Sequence, residues 1–258
     1  MTTDNKGISE KHGQKNKKTL EKAALQYETE TFLFDDPSFF MHIPADNHDK
    51  EIMAFIASCL SYGRRELFFP KIQYILDSSE GKLSSWLLSD AFKENIPDNQ
   101  QTFYRLYTNH TVHLFLDNLK SLLVAYGSME NFARLHTCNH QAITLIEALC
   151  TFFNTGEHSH IVPRNTLSSC KRLCMFLRWM VRNDSPVDLG LWSEIIDKRT
   201  LIMPLDTHVI QEANRLGLIT TKSTSMKAAN KLTAIMLDIF PEDPLKGDFA
   251  LFGYGVNH

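Results

Sequence analysis

A lysine amine and an aspartate carboxylate, 35 positions apart, open two segments of helical periodicity. Lys171 falls in Ser168-Ser169-Cys170-Lys171-Arg172-Leu173, after an irregular stretch containing Pro163, and starts an amphipathic run. Asp206 falls in Met203-Pro204-Leu205-Asp206-Thr207-His208-Val209, at the position of a helix cap. A turn between the segments can bring the two helix starts together. An amine beside a carboxylate suits chemistry at a sugar carbon, the amine as nucleophile and the carboxylate steadying developing positive charge. Both residues also have ordinary uses. A lysine that opens a helix is commonly solvent-exposed, and an aspartate there is commonly a plain cap worth ~1 kcal/mol. Asp206 can serve as both.

Holding such a pair takes a helical frame, and the residue pattern supplies one. The pattern turns helical over 19–27, and Asp35-Asp36-Pro37 and His42-Ile43-Pro44 break it. Asp49 is read as the cap of a helix carrying the stripe Ile52, Phe55, Ile56, Cys59 and Leu60, which ends near Ser61-Tyr62-Gly63-Arg64-Arg65. Further helices are predicted over 66–76, 84–92, 111–126, 129–135, 142–153, 168–182, 191–196, 207–216, 225–240 and 248–252. Gly217 suits the residue just past the helix that Asp206 begins. No alternating strand run and no internal repeat stands out, so the predicted class is all-α. Residues 1–18, rich in lysine, glycine and amides, read as a disordered basic leader.

The bulk composition narrows the setting. A chain of 258 residues with 43% hydrophobic and 22% charged residues is expected to fold as a globular domain. No apolar run reaches the ~18 residues of a membrane span, and the polar start lacks a signal-peptide core, which predicts a cytoplasmic protein. Cys59, Cys138, Cys150, Cys170 and Cys174 form no CxxC pair and fit a reducing compartment. Cys170 and Cys174 share a helix face as buried thiols. His158 and His160 beside Glu157 lack further ligand spacing, so no metal site and no cofactor is predicted. Net charge is −3, but Arg164, Lys171, Arg172, Arg178 and Arg182 are basic with no acidic residue among them. A local patch of that kind suits phosphates; a solvated helix face is the plainer reading.

Pro204-Leu205-Asp206-Thr207-His208-Val209, followed by Asn214-Arg215-Leu216-Gly217-Leu218, resembles the catalytic-aspartate segment of the helix-hairpin-helix DNA glycosylase superfamily. Residues 162–171 occupy the place of that superfamily's hairpin. Asp248-Phe249-Ala250-Leu251-Phe252-Gly253 looks like its last core helix, and Ala57-Ser58-Cys59-Leu60-Ser61-Tyr62-Gly63 like the helix end that carries a strand-probing loop. Within the superfamily the chain is most similar to the archaeal 8-oxoguanine DNA glycosylase branch, whose hairpin is divergent and whose lysine-to-aspartate separation is long. It also looks like an uncharacterised bacterial family sharing the KRxxMFLRWMVR and PLDTHV segments, a likeness that carries no function. One departure stands out. Arg164, Asn165, Thr166 and Leu167 replace the hairpin glycines that let backbone N–H groups approach a phosphate.

The resemblance implies a two-lobed helical domain over 19–258, with a divergent hairpin and catalytic region at 162–217. It implies a monomer that binds double-stranded DNA containing a damaged base. The implied activity is a DNA glycosylase with AP lyase activity on an oxidised purine, 8-oxoguanine first, through a Schiff base on Lys171 with Asp206 steadying the sugar. Pocket contacts fall on Arg178, Met175, Asp248, Phe252 and Trp179. DNA contacts fall on Tyr62, Gly63, Arg64, Arg65, Arg164, Asn165, Ser168, Ser169, Arg172 and His208. Several of these have competing readings: Trp179 as core, Arg178 and Arg182 as solvated or phosphate-facing, Tyr62 to Arg65 as an ordinary helix end, and His208 as a local packing residue. The missing glycines support an alternative, a non-catalytic nucleic-acid-binding protein on the same fold. A helical scaffold for protein partners is the third reading.

Overall fold

Residues 4–256 are described by a computed structural model, with side chains over 16–253. Helix α1 (Asp4–Tyr27) leads through two 3-10 turns, Glu30–Asp35 and Pro37–His42, into α2 (Asn47–Leu60). Then come α3 (Arg65–Ser78), α4 (Leu83–Leu88) and α5 (Phe92–Asn95). A small hairpin of β1 (Thr102–Tyr104) and β2 (Tyr107–Thr108) precedes α6 (Asn109–Tyr126), α7 (Met129–His136) and α8 (Ala142–Phe153). An irregular stretch reaches α9 (Lys171–Val181), a second one α10 (Thr207–Arg215), and α11 (Met226–Ile239) and α12 (Lys246–Val256) finish the described chain. The molecule is mostly helical, as the all-α reading expects.

Helix α2 is the hub. Its run from Ile52 to Leu60 is apolar nearly all round, the pattern of a helix with no solvent face. It packs against α3, α4, α7, α9 and the Pro37–His42 turn. Helix α9 lies on α2 and α8, while α12 joins α1 to α10. Nearly all the buried apolar side chains, from Leu20 to Leu251, form one contiguous cluster. Short polar residues fix where helices begin. Thr108, Ser128, Asp206 and Ser225 each accept an N–H from the first turn of the helix that follows.

Several expectations differ from what forms. Asp46, not Asp49, caps α2; Asp49 is buried and accepts hydrogen bonds from the Ser84 amide and hydroxyl, both at 2.7 Å. The helix predicted over 84–92 splits into α4 and α5 at Asp90, whose φ is +66°. The stretch 191–196 is a run of turns fixed by Trp192 N–H on the Met180 carbonyl, not a helix. The hairpin was not legible as strands at all. Positions 4–18 of the expected leader are part of α1, and 1–3 lie outside the described residues. No described helix is long and apolar enough to cross a membrane.

Candidate functional site

Lys171 is the first residue of α9, and its placement begins one residue earlier. Cys170 adopts a left-handed backbone, φ +48° and ψ +37°, a conformation that costs a non-glycine residue about 1–2 kcal/mol. The reversal lets the preceding residues pair outward before the chain turns into the helix. Ser169 N–H donates to the Thr224 carbonyl at 2.8 Å, and Ser168 bridges to Ser225. The segment before α9 is therefore an irregular stretch pinned to the start of α11. No side chain caps α9, so the positive end of that helix is left to whatever enters the site.

Asp206 caps α10, its Oδ1 accepting the Val209 N–H at 2.9 Å. Its Oδ2 accepts from Lys171 Nζ at 2.8 Å. The two helix starts thus meet across an ion pair. The Lys171 side chain is 38% exposed and that of Asp206 19%, so the pair is reachable from outside. Burial pushes the Asp206 carboxyl up. The Lys171 charge, its hydrogen bond and the Val209 N–H outweigh that and hold it below the ordinary carboxylate value.

Two cavities meet at this pair. One, of about 390 Å³, is lined by Lys171, Asp206, Met175, Arg178, Asp248 and Phe252, with Phe32, Asp36 and Phe68 among the other walls. The second, of about 450 Å³, is lined by Lys171, Asp206, Ser61, Tyr62, Gly63, Pro163, Ser168 and Thr207. His208 is exposed and borders both. Met175 and Arg178 lie one and two turns beyond Lys171 on the same face of α9, which explains why three residues spaced i, i+4, i+7 share a wall.

The floor of the first cavity is ionic. Arg178 Nη1 donates to Asp248 at 2.6 Å and Nε to Asp188 at 3.3 Å, and the guanidinium lies 4.5 Å from the centre of the Phe249 ring. Burial pushes the Asp248 carboxyl up, against the pull of Arg178. Arg182, fully buried, binds Asp243 through Nε and Nη2 and Asp188 through Nη1 at 2.5 Å. Arg178 reaches only the floor of the first cavity and Arg182 is wholly interior, so neither is the solvated or phosphate-facing residue that the basic run between 164 and 182 suggested.

Three further expectations are corrected. Trp179 is wholly buried and lines neither cavity. Arg172 turns inward, donating to the Cys59 carbonyl at 2.7 Å and the Tyr107 hydroxyl at 2.9 Å, and so ties α9 to α2 and the hairpin. Ser169 is buried, its hydroxyl donating to the Leu205 carbonyl at 3.2 Å. Ser168, Tyr62 and Gly63 are exposed on the walls of the second cavity and Arg65 lines the first, whereas Arg164 and Asn165, exposed beside Pro163, and Arg64, its side chain 79% exposed, line neither.

A family model described as a protein of unknown function, DUF2400, matches residues 36–257. The chain belongs to that family. The match takes in both members of the ion pair and nearly every wall of the two cavities. No curated protein and no solved structure matches the chain.

In this DUF2400 chain the sequence reading missed Asp36, Asp188 and the hairpin. Asp36 precedes Pro37 and caps the second 3-10 turn through Ser38 N–H at 3.0 Å, and it lines the first cavity. A cap signal of Asp before Pro was present in the sequence, but nothing local linked it to a site 135 to 170 positions away. Among the described residues, no group of three or more His, Cys, Asp or Glu could hold a metal ion.

Proposed function

We propose that this protein is a DNA glycosylase with AP lyase activity, acting on an oxidised purine, 8-oxoguanine first. One observation carries the reading: a lysine and an aspartate paired at 2.8 Å, each at the start of a helix, at the junction of two cavities. The first cavity is of a size that takes a small ring system. It offers apolar walls at Met175, Phe32 and Phe252 and polar groups at Asp36, Asp248 and Arg178 for the edge of a base. The second provides a track for the sugar and its phosphates, next to the uncapped start of α9.

Extrusion of one nucleotide places C1′ between Lys171 and Asp206. The ammonium gives up a proton, and Nζ forms a bond to C1′ as the bond from C1′ to the base breaks. The electron pair leaves with the base, which takes up the proton released by the amine. Asp206 carries the negative charge that steadies the cationic sugar. Opening of the sugar ring leaves an iminium on Nζ; loss of a C2′ proton then expels the 3′ phosphate and nicks the strand. The absence of glycines from 164–167 favours a second reading, a protein that binds nucleic acid without cutting it.

Borohydride trapping on labelled duplexes carrying 8-oxoguanine, uracil or an abasic site separates the two. The expected result is a covalent adduct that disappears in Lys171→Gln while duplex binding persists. Salt-sensitive binding with no adduct on any duplex moves the assignment to the binding protein.

A further inference from the structure

Four of the five thiols are buried: Cys59 on α2, Cys150 on α8, Cys170 at the start of α9 and Cys174 within it. The chemistry proposed above uses none of them. Two behave as inert core. Cys174 donates to the Ser169 carbonyl at 3.3 Å, and burial pushes its thiol up and that of Cys59 up to about 12. Cys170 differs in place and in partner. It lines the second cavity, whereas Cys59, Cys150 and Cys174 line neither cavity. It adjoins Lys171 and holds the left-handed turn that starts α9.

Cys150, in the last turn of α8, donates its S–H to the Cys170 sulfur, and Cys170 donates to the Asn165 carbonyl at 3.4 Å. The Cys150 hydrogen bond holds the Cys170 thiol below its ordinary value and pushes that of Cys150 up. The backbone draws the same two places together. Asn154, just past α8, donates to the Cys150 carbonyl at 2.8 Å and to the Pro163 carbonyl at 3.0 Å, which stitches the end of α8 to the segment leading into Lys171. A thiol with thiolate character that is open to a cavity reacts with oxidants, and a second thiol against it resolves the product. Closing the bridge brings the sulfurs from hydrogen-bond contact to ~2 Å. Cys170 is where the chain yields, because leaving the left-handed conformation releases about 1–2 kcal/mol. Lys171 is the next residue and moves with it.

We propose that Cys150 and Cys170 are a modification site for hydroperoxides, and that the disulfide they form parts Lys171 from Asp206. The Cys170 thiolate attacks a peroxide oxygen, the O–O bond breaks, and the hydroxide leaves as water with the proton that Cys170 released. The Cys150 sulfur then bonds to the sulfenic sulfur of Cys170, the S–O bond breaks, and a second water leaves with the Cys150 proton. The thiols lose two electrons and two protons, and hydrogen peroxide is reduced to two waters. The effect on trapping rests on the proposed function; the disulfide and the movement of Lys171 do not.

The test uses the full chain with Cys138→Ser, which removes the exposed thiol. The folded protein is treated with hydrogen peroxide, alkylated in denaturant and cut with trypsin. Peptides 135–164 and 165–171 then carry only Cys150 and only Cys170. They are expected to be joined, and to separate with dithiothreitol. With Cys150→Ala the expected product is a sulfenic acid on Cys170, captured by dimedone. A protein that stays reduced, or that joins another pair of thiols, overturns the proposal. Acetic anhydride, which labels amines whatever the protein does to DNA, is expected to modify Lys171 about threefold faster or more in the joined protein, since Nζ has left its carboxylate. Unchanged labelling overturns the movement of Lys171. Trapping on an abasic duplex with cyanoborohydride, which spares disulfides, is expected to slow at least about tenfold on joining and to recover with dithiothreitol. Equal trapping by the joined and reduced proteins overturns the control of the site. No adduct from either defeats the Schiff-base reading alone, and the joined peptides and the Lys171 label then decide the proposal.

Discussion

Asp206 does two jobs that substitution can separate. It caps α10 through the Val209 N–H and it faces the Lys171 amine. Asparagine caps a helix about as well as aspartate but carries no charge. Asp206→Asn is therefore expected to leave thermal stability within ~0.5 kcal/mol and to lower the trapping rate by about 100-fold or more, because the cationic sugar loses its counter-charge. Asp206→Ala is expected to lose that rate and, in addition, ~1 kcal/mol of stability with the cap. Equal trapping by Asp206→Asn and the unsubstituted protein would reduce the residue to a cap. The pH dependence has a definite sign. The folded carboxyl titrates below its ordinary value, so its contribution is present above ~4 and is lost as pH falls through the lower folded value.

The hairpin and the helix ends show what an element needs from its neighbours. Gly63 sits at φ +90° under Arg105, so Gly63→Ala meets both backbone strain and a steric overlap. It is expected to cost about 1–3 kcal/mol in urea unfolding and to free the hairpin from Tyr62. Gly156→Ala, at φ +73° with open space around it, is the control and is expected to cost about 1–2 kcal/mol from strain alone, less than Gly63→Ala; equal losses at the two positions would remove the hairpin contact from the account. The elements differ in how far local sequence announces them. Lys171, Asp206 and Gly217 were legible because a helix start and a helix end are written within a few residues. The hairpin was not, since its strands are only three and two residues long and its turn places Arg105 where glycine or asparagine would have signalled it. The burial of Arg182 was equally hidden. Its partner Glu28 lies 154 positions away, and a basic residue in a helix looks the same before its acids arrive.

At the scale of the whole molecule, the site stands on a core that itself holds charge. Arg182 joins Glu28 beyond α1, Asp188 beyond α9 and Asp243 before α12, and so ties the ends of the chain to the helix that carries Lys171. Glu51 plays the corresponding part on α2, its Oε1 accepting the Trp192 indole N–H at 2.9 Å and its Oε2 the Glu130 N–H at 3.1 Å. Burial pushes its carboxyl up to about 7, against the pull of both hydrogen bonds and of His48. Between an unfolded value of ~4.3 and that folded value the native state binds more protons, so stability must fall as pH rises through the window, by an amount on the order of 2–3 kcal/mol. Glu51→Gln removes the titration but leaves one of the two donors without an acceptor, a loss of about 1–3 kcal/mol that does not depend on pH. The two effects oppose each other across the window. The variant is expected to be less stable than the unsubstituted protein at pH 5, and to equal or exceed it at pH 8. Urea unfolding at both values, followed by tryptophan fluorescence, measures the crossing. Parallel pH slopes for the two proteins would mean that Glu51 is ionised in the folded core, with its charge balanced by the two N–H donors and His48.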